Sequence, residues 1–474
     1  MVYSINSDFR QYNYNTTNRV NSTLVVNNKT MTKPITPSFT SNNTNSVYYN
    51  QTLTASPLRT RLETKDEKNK YNFLLKNLDK NSKKTVKLML KQGILLNSNS
   101  NDHTSVLDNL YEIATKPRAA GLSNLGILKD TINTLYSPYN ITQQFGNLPN
   151  KAISDHLRDI YMTDNSMRKT NLLDRKIAEL AVNVDHSGTC VASSIEFNLA
   201  KQMPAEFARF VAGISSPSMS VQKEIKLSNL ADNTLDAVWL LNAFEVPFEM
   251  KDFDKAKLTF APDKNAIVRG QLQTLYKDPY ERSTVDVLMQ STLMQVGSQQ
   301  SYDSLSDKRA GKFNQNDKGL IEFEKTFTES VVEDKNKISV TYQTVDENAK
   351  LLGYETDLGT MKRQITTALD RGENVIIGYT QVDDSNYIIN GHEITIVGYK
   401  KAPQTNPNAP EKLIFVCNDT DDNQFAPIEY DEDYLLPKIH HAALPHDIVQ
   451  NDVNMTENWV EGLNTYKEMK KKAV

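Results

Sequence analysis

Apolar residues recur at helical spacing from about residue 62, and past residue 336 they shift to the short β-branched runs of strands. A helical half followed by a strand-rich half, in place of regular alternation, predicts an α+β fold. The first helices form around Phe73, Leu74 and Leu78 and around Val86, Leu88 and Leu90, broken at Asn81-Ser82 and closed at Gly93. Further helical patterns fit 103–115, 122–136, 148–162, 190–203, 205–213, 229–243 and 281–296, with Pro204 and Ser215-Ser216-Pro217 as stops. Strands are expected at Ile338–Tyr342, Val375–Tyr379, Ile394–Val397 and Leu413–Val416. One intervening helix, Met361–Arg371, lies between Thr360 as N-cap and Gly372 as its stop.

At 474 residues the chain exceeds one average domain, so two folded units are expected. Residues 1–60, rich in Asn, Thr and Ser, carry too little apolar surface to offset ordering and read as a disordered tail. Residues 61–170 read as a helical region, 171–450 as the larger folded unit and 451–474 as a C-terminal tail. The net charge of -4 gives no pull toward nucleic acid or anionic membrane. The lysines from Lys68 to Lys91 lack interleaved stacking aromatics and read as a solvated helix face. No apolar run approaches the roughly 18 residues of a membrane span, and the amino terminus lacks the plan of a secretory signal. A cytoplasmic location is therefore expected, in which the sequons at Asn21 and Asn28 carry no glycan. Oligomeric state is not legible.

Two cysteines cannot form a disulfide framework, which leaves a thiol free for chemistry. Cys190 closes Ser187-Gly188-Thr189-Cys190 and opens an apolar helical stripe of Val191, Ile195, Leu199 and Met203. A first-turn position lowers a thiol pKa and offers the Cys190 N–H as an oxyanion donor, while Gly188 admits a substrate backbone. His392 opens Gly391-His-Glu-Ile-Thr-Ile-Val-Gly-Tyr399, with Ile394 and Ile396 on its face of the strand. The next strand ends at Asn418-Asp419, either of which can orient an imidazole if the two strands pair. Cys417, of opposite parity to Asn418, reads as a small core residue. The connection from Lys401 to Lys412, with Pro403, Pro407 and Pro410, reads as a long hairpin loop.

A Cys at a helix start, a His in Gly-His-Glu-Ile-Thr-Ile-Val-Gly-Tyr and an Asn after an apolar strand, in this order, resemble the papain-like cysteine peptidases. The resemblance spans roughly 180–435 in outline and is tight near 186–200 and 372–420. It implies a papain-like fold, a polypeptide substrate, no cofactor, and Cys190 as nucleophile, His392 as general base and acid, and Asn418 as the orienting residue. Relatives that use an Asp make Asp419 the alternative. The family's oxyanion glutamine falls on Val184, so Asn183 and His186 are the candidate substitutes. The residue after the nucleophile is Val191 where the family has an aromatic, and Asn418 is followed by Asp-Thr-Asp in place of Ser-Trp-Gly. The same constellation fits two other classes: an inactive binding module on this fold, and a Cys-His-Asp transglutaminase or deamidase. The helical region before Cys190 is then a propeptide-like cover or a permanent accessory domain.

No metal site is expected. His392-Glu393 lacks the second histidine of a zinc-protease helix, since position 396 is Ile. His440, His441, His446 and Asp447 match no familiar zinc spacing and read as packing or surface residues. Asp419, Asp421, Asp422, Glu429, Asp431, Glu432 and Asp433 lack EF-hand spacing and read as a solvated acidic loop. There is no Gly-rich phosphate loop.

Overall fold

The computed structural model describes residues 48–49, 58–144, 188–275, 282–305, 307–309, 319–346, 348–403, 411–421, 425–452 and 456–457. Strand β1 (Tyr48–Tyr49) precedes helices α1 (Lys65–Asn77), α2 (Lys80–Lys91), α3 (Val106–Thr115) and α4 (Asn124–Tyr136). Then come α5 (Cys190–Gln202), α6 (Pro204–Ile214), β2 (Val221–Lys226), α7 (Thr234–Ala243), β3 (Phe248–Asp252), β4 (Lys255–Phe260), α8 (Ala266–Leu275) and α9 (Thr284–Gly297). After the short hairpin β5 (Tyr302–Asp303) and β6 (Lys308–Arg309), α10 (Glu322–Glu333) leads into β7 (Lys337–Thr341), β8 (Gln343–Val345) and β9 (Leu351–Tyr354). Helix α11 (Leu358–Asp370) precedes β10 (Val375–Val382), β11 (Ile388–Lys401), β12 (Leu413–Asn418), β13 (Ile428–Asp431), β14 (Ile439–Pro445) and β15 (Thr456–Glu457). The mixed α+β class agrees with the change of period.

Local chemistry sets the helix ends. Thr64 and Glu67 form a reciprocal capping box on α1, Ser105 and Asp108 one on α3, and Ser283 and Asp286 one on α9, each supplying acceptors for amides that have no partner in the helix. Helix α11 starts earlier than Thr360: Asp357 caps it by accepting the Thr360 N–H at 2.9 Å, a carboxylate one turn upstream outcompeting the threonine hydroxyl. Gly372 follows that helix with φ +93, the left-handed exit that glycine allows without strain.

The large sheet runs β13-β12-β11-β10-β14-β7-β15 with antiparallel neighbours throughout. Tyr48 and Tyr49 pair with Tyr399 and Gly398 of β11, beyond the point where β10 leaves it. Residues 48–49 of the segment read as a disordered tail thus form a two-residue strand. A second sheet, β2-β4-β3, lies inside the long segment between the two halves, where no strand was expected; β2 alternates buried and more exposed positions along its length.

The large sheet is packed on both faces. Ile376, Val397 and Val416 join a cluster with Val191, Ile195 and Leu199 of α5. Val375, Ile377, Ile394, Ile396 and Cys417 enter another with Met361, Ile365 and Ala368 of α11. The first cluster also contains Leu74, Val86, Leu107, Leu110 and Ile132, so α1–α4 share one continuous core with the cysteine helix. Polar ties cross the same seam: Asn101 donates its backbone N–H to Glu206 and its side-chain amide to Glu224 O, and Arg118 reaches Ala212 O at 2.6 Å. The boundary expected near residue 170 lies outside the described residues. Among those described, the helices before it share the apolar core of the cysteine helix.

Candidate active site

Cys190 begins α5 behind an N-cap, Thr189, whose side chain does not cap the helix. The Thr189 hydroxyl instead donates to Gln290 Oε1 at 2.8 Å, anchoring the helix start to α9. The first-turn amides therefore receive no acceptor from that hydroxyl, which suits them to developing negative charge. Gly188 is fixed from outside by its N–H to Asp307 Oδ2 at 2.6 Å, and Asp307 also accepts the Tyr302 hydroxyl.

His392 stands on β11 opposite Tyr379 of β10. Its Nε2 lies 2.7 Å from Asp419 Oδ1, with the two side chains 14% and 16% exposed. Burial is the strongest influence on this imidazole and disfavours its charge, yet the Asp419 carboxylate and the adjoining Cys190 sulfur together hold its pKa well above the ordinary value. With Nε2 engaged by Asp419, Nδ1 is the ring nitrogen left for the thiol. The described structure thus brings Cys190, His392 and Asp419 together.

Asn418 is placed differently. It is the last residue of β12, paired with Thr395 of β11, buried, and its Nδ2 has no hydrogen-bond partner among the described residues. Asp419 is the first residue beyond the ladder and is free to turn toward the ring. Asn183 and His186, the oxyanion candidates, lie outside the described residues, as does Val184. Cys417 is fully buried beneath α11, and burial pushes its thiol pKa up.

Residues without chemistry of their own hold Asp419 in place. Its Oδ1 also accepts the Asp421 N–H at 2.9 Å. The Thr420 hydroxyl meets the Ser193 hydroxyl at 2.7 Å, and Ser193 donates to Cys190 O at 3.0 Å, joining this turn directly to the cysteine helix. Thr420 O accepts the Gln143 N–H at 3.0 Å and the Thr142 hydroxyl at 3.1 Å. Gln144 reaches Asp421 O and Oδ1, while Gln290 donates to Thr142 O and to Glu196 of α5. Sequence reasoning missed Thr142, Ser193, Gln290 and Thr420, because they come from four distant segments with no shared spacing.

The other polar groups divide. Glu429, Glu432 and Asp433 pair with Lys400, Lys362 and Lys412, so much of the acidic loop is neutralised by lysines. Asp422 lies outside the described residues. Asp447 pairs with Arg371 at the surface. Glu393 points away from His392 into the body, where it meets Lys325 of α10 at 3.1 Å and His441 at 2.9 Å. No described helix is long and apolar enough to cross a membrane. Comparison with protein-family models, curated proteins and solved structures gave no match.

Proposed function

We propose that this chain is a cysteine-dependent hydrolase that cleaves peptide bonds on a papain-like plan. The observation that carries this reading is the juxtaposition of Cys190 at a helix start with an imidazole held by Asp419 and raised in pKa. An imidazolium poised beside a thiol pairs a thiolate nucleophile with its own proton donor at neutral pH. The Cys190 sulfur attacks the carbonyl carbon, and the negative oxygen is met by the Cys190 N–H. The C–N bond then breaks, with the leaving amine taking the His392 proton. Water gives a proton to His392 and adds to the thioester, which releases the carboxylic acid and regenerates the thiol. Asp419 keeps the ring oriented through both steps.

A carboxylate in the third position also favours a second reading. Cys-His-Asp chemistry acts on glutamine side chains, where the same acyl-enzyme passes to water or to an amine. The test is labelling at neutral pH with a thiol-directed peptidyl electrophile, read by intact mass against Cys190→Ala. Selective modification of Cys190 supports either reading, and reactivity no greater than that of Cys417 overturns both. Ammonia release from glutamine peptides, with and without an acceptor amine, separates the two. Labelling without turnover on any substrate marks a binding module.

A further inference from the structure

We propose that Glu322, His440 and His441 form a divalent transition-metal site, best suited to zinc, pinning α10 to the large sheet. The donor atoms of these three residues all lie within 4.8 Å of one another. His440 Nε2 is 2.9 Å and His441 Nδ1 3.4 Å from the same oxygen, Glu322 Oε1. Ligands about 2.0–2.1 Å from a tetrahedral zinc stand about 3.3 Å from one another, so the two separations from Glu322 Oε1 are compatible with a shared ion.

Backbone geometry explains why two consecutive strand residues converge. Along β14 the pairing with β10 slips: Gly378 faces His441 and Tyr379 faces Ile439, so His440 is the extra residue of a β-bulge. A bulge re-aims a side chain that strict alternation sends to the opposite face. The two rings then stand 5.4 Å apart and nearly perpendicular, at 79°. Gly378 completes the space: a Cβ there would lie 2.3 Å from His441 Cε1, so only glycine lets this ring lie over β10.

A second observation points to an occupant. His440 Nε2 and His441 Nδ1, the nitrogens nearest Glu322, are buried and have no aligned hydrogen bond among the described residues, despite the carboxylate beside them. Close approach without hydrogen-bond alignment is what lone pairs directed at a common ion give, and it leaves the nitrogens costly without one. The surroundings match the outer layer of a metal site. His441 Nε2 lies 2.9 Å from Glu393, which Lys325 holds at 3.1 Å, and the Thr341 hydroxyl donates to the other oxygen of Glu322 at 3.2 Å. Two imidazoles and one carboxylate make a borderline donor set that favours zinc over calcium or magnesium. Histidine spacing alone could not show this, because the carboxylate comes from another element; His446 and Asp447 take no part.

The test uses the full chain carrying Cys190→Ser, so that the thiol of the candidate active site cannot hold the ion. Elemental analysis of the purified protein is expected to find roughly one equivalent of zinc. The chelated protein should take up Co2+ with the intense visible bands of a four-coordinate N/O site, and zinc should raise its Tm. Glu322→Gln, close in shape, should keep the far-UV spectrum and lose both signals, and His440→Gln should do the same. The proposal is overturned if the chelated protein binds neither ion at a defined stoichiometry, or if the variants bind as the parent does. In that case the cluster is a proton-bridged ion network.

Discussion

Replacing Asp419 by Asn removes the carboxylate that the structure sets against His392. The contact is 2.7 Å between Nε2 and Oδ1, and both side chains are mostly buried. With charge centres about 4 Å apart and an effective dielectric near 20, the attraction is about 4 kcal/mol, equivalent to about 3 pKa units. Relaxation and the remaining water reduce this, so the His392 pKa should fall by about 1 to 3 units in Asp419→Asn. The substituted amide can also present its N–H₂ to Nε2, which favours the wrong tautomer for orienting Nδ1. Two assays read this. Titration of the His392 Cε1–H resonance, assigned by its loss in His392→Gln, gives the shift directly. The alkylation rate of Cys190 at neutral pH should fall at least tenfold, because an imidazolium no longer stabilises the thiolate. The sign extends to stability. A raised histidine pKa contributes fully below the unfolded value of about 6.5 and is lost as pH rises through the folded value. The stability gap between wild type and Asp419→Asn should therefore be wider at about pH 6 than at high pH. An unchanged His392 titration together with an unchanged alkylation rate would refute the argument.

Asn418→Ala should leave Cys190 alkylation within about threefold of wild type and cost under about 2 kcal/mol in urea denaturation, since its buried Nδ2 has no partner to lose among the described residues. A double-mutant cycle on Ser193→Ala and Thr420→Val should return a coupling of about 0.5–1.5 kcal/mol by the same denaturation, the worth of their hydrogen bond. Gly378→Ala should destabilise by about 1–3 kcal/mol, because the added Cβ collides with the His441 ring. Burial raises the Asp286 pKa to about 6, and burial followed by the Asp286 charge raises that of Glu196 well above its usual value. At this pair the folded state then binds more protons than the unfolded one, so the pair's contribution to stability should fall as pH rises from about 4 to about 6. Asp286→Asn should flatten that slope in thermal melts.

Helix periodicity and β-branched runs were enough to place α3 to α6, α9, α11 and the central strands β10 to β12, because each buries a continuous stripe or face. Helix α10 was not legible: it buries Glu324, Lys325, Glu329 and Glu333 beside the narrow apolar stripe of Phe323, Phe327 and Val331, and buried charges on both sides obscure such a stripe. Cys190 was legible because it opens an apolar helix, and His392 because it precedes the apolar run Ile394–Val397, although the strand itself already begins at Ile388. The choice between Asn418 and Asp419 was not, because both are polar residues at a strand end, and only the register with Thr395 shows which one leaves the ladder. The convergence of Glu322 with His440 and His441 depends on a bulge and a glycine, neither of which leaves a periodic trace.

Strand β11 carries His392 and Glu393 side by side, one meeting Asp419 and the other meeting Lys325 and His441. Side chains alternate with a period of two, so gaining or losing a single residue just before His392, with 388–391 kept in register and the residues beyond shifted by one, would exchange their directions. A carboxylate would then face the thiol, and an imidazole would face a buried lysine. The strand behaves like a reading frame: point changes along it are graded in effect, whereas one-residue insertions or deletions damage both sides of the sheet together. Length variants of this segment should therefore be far rarer among functional versions of the chain than substitutions.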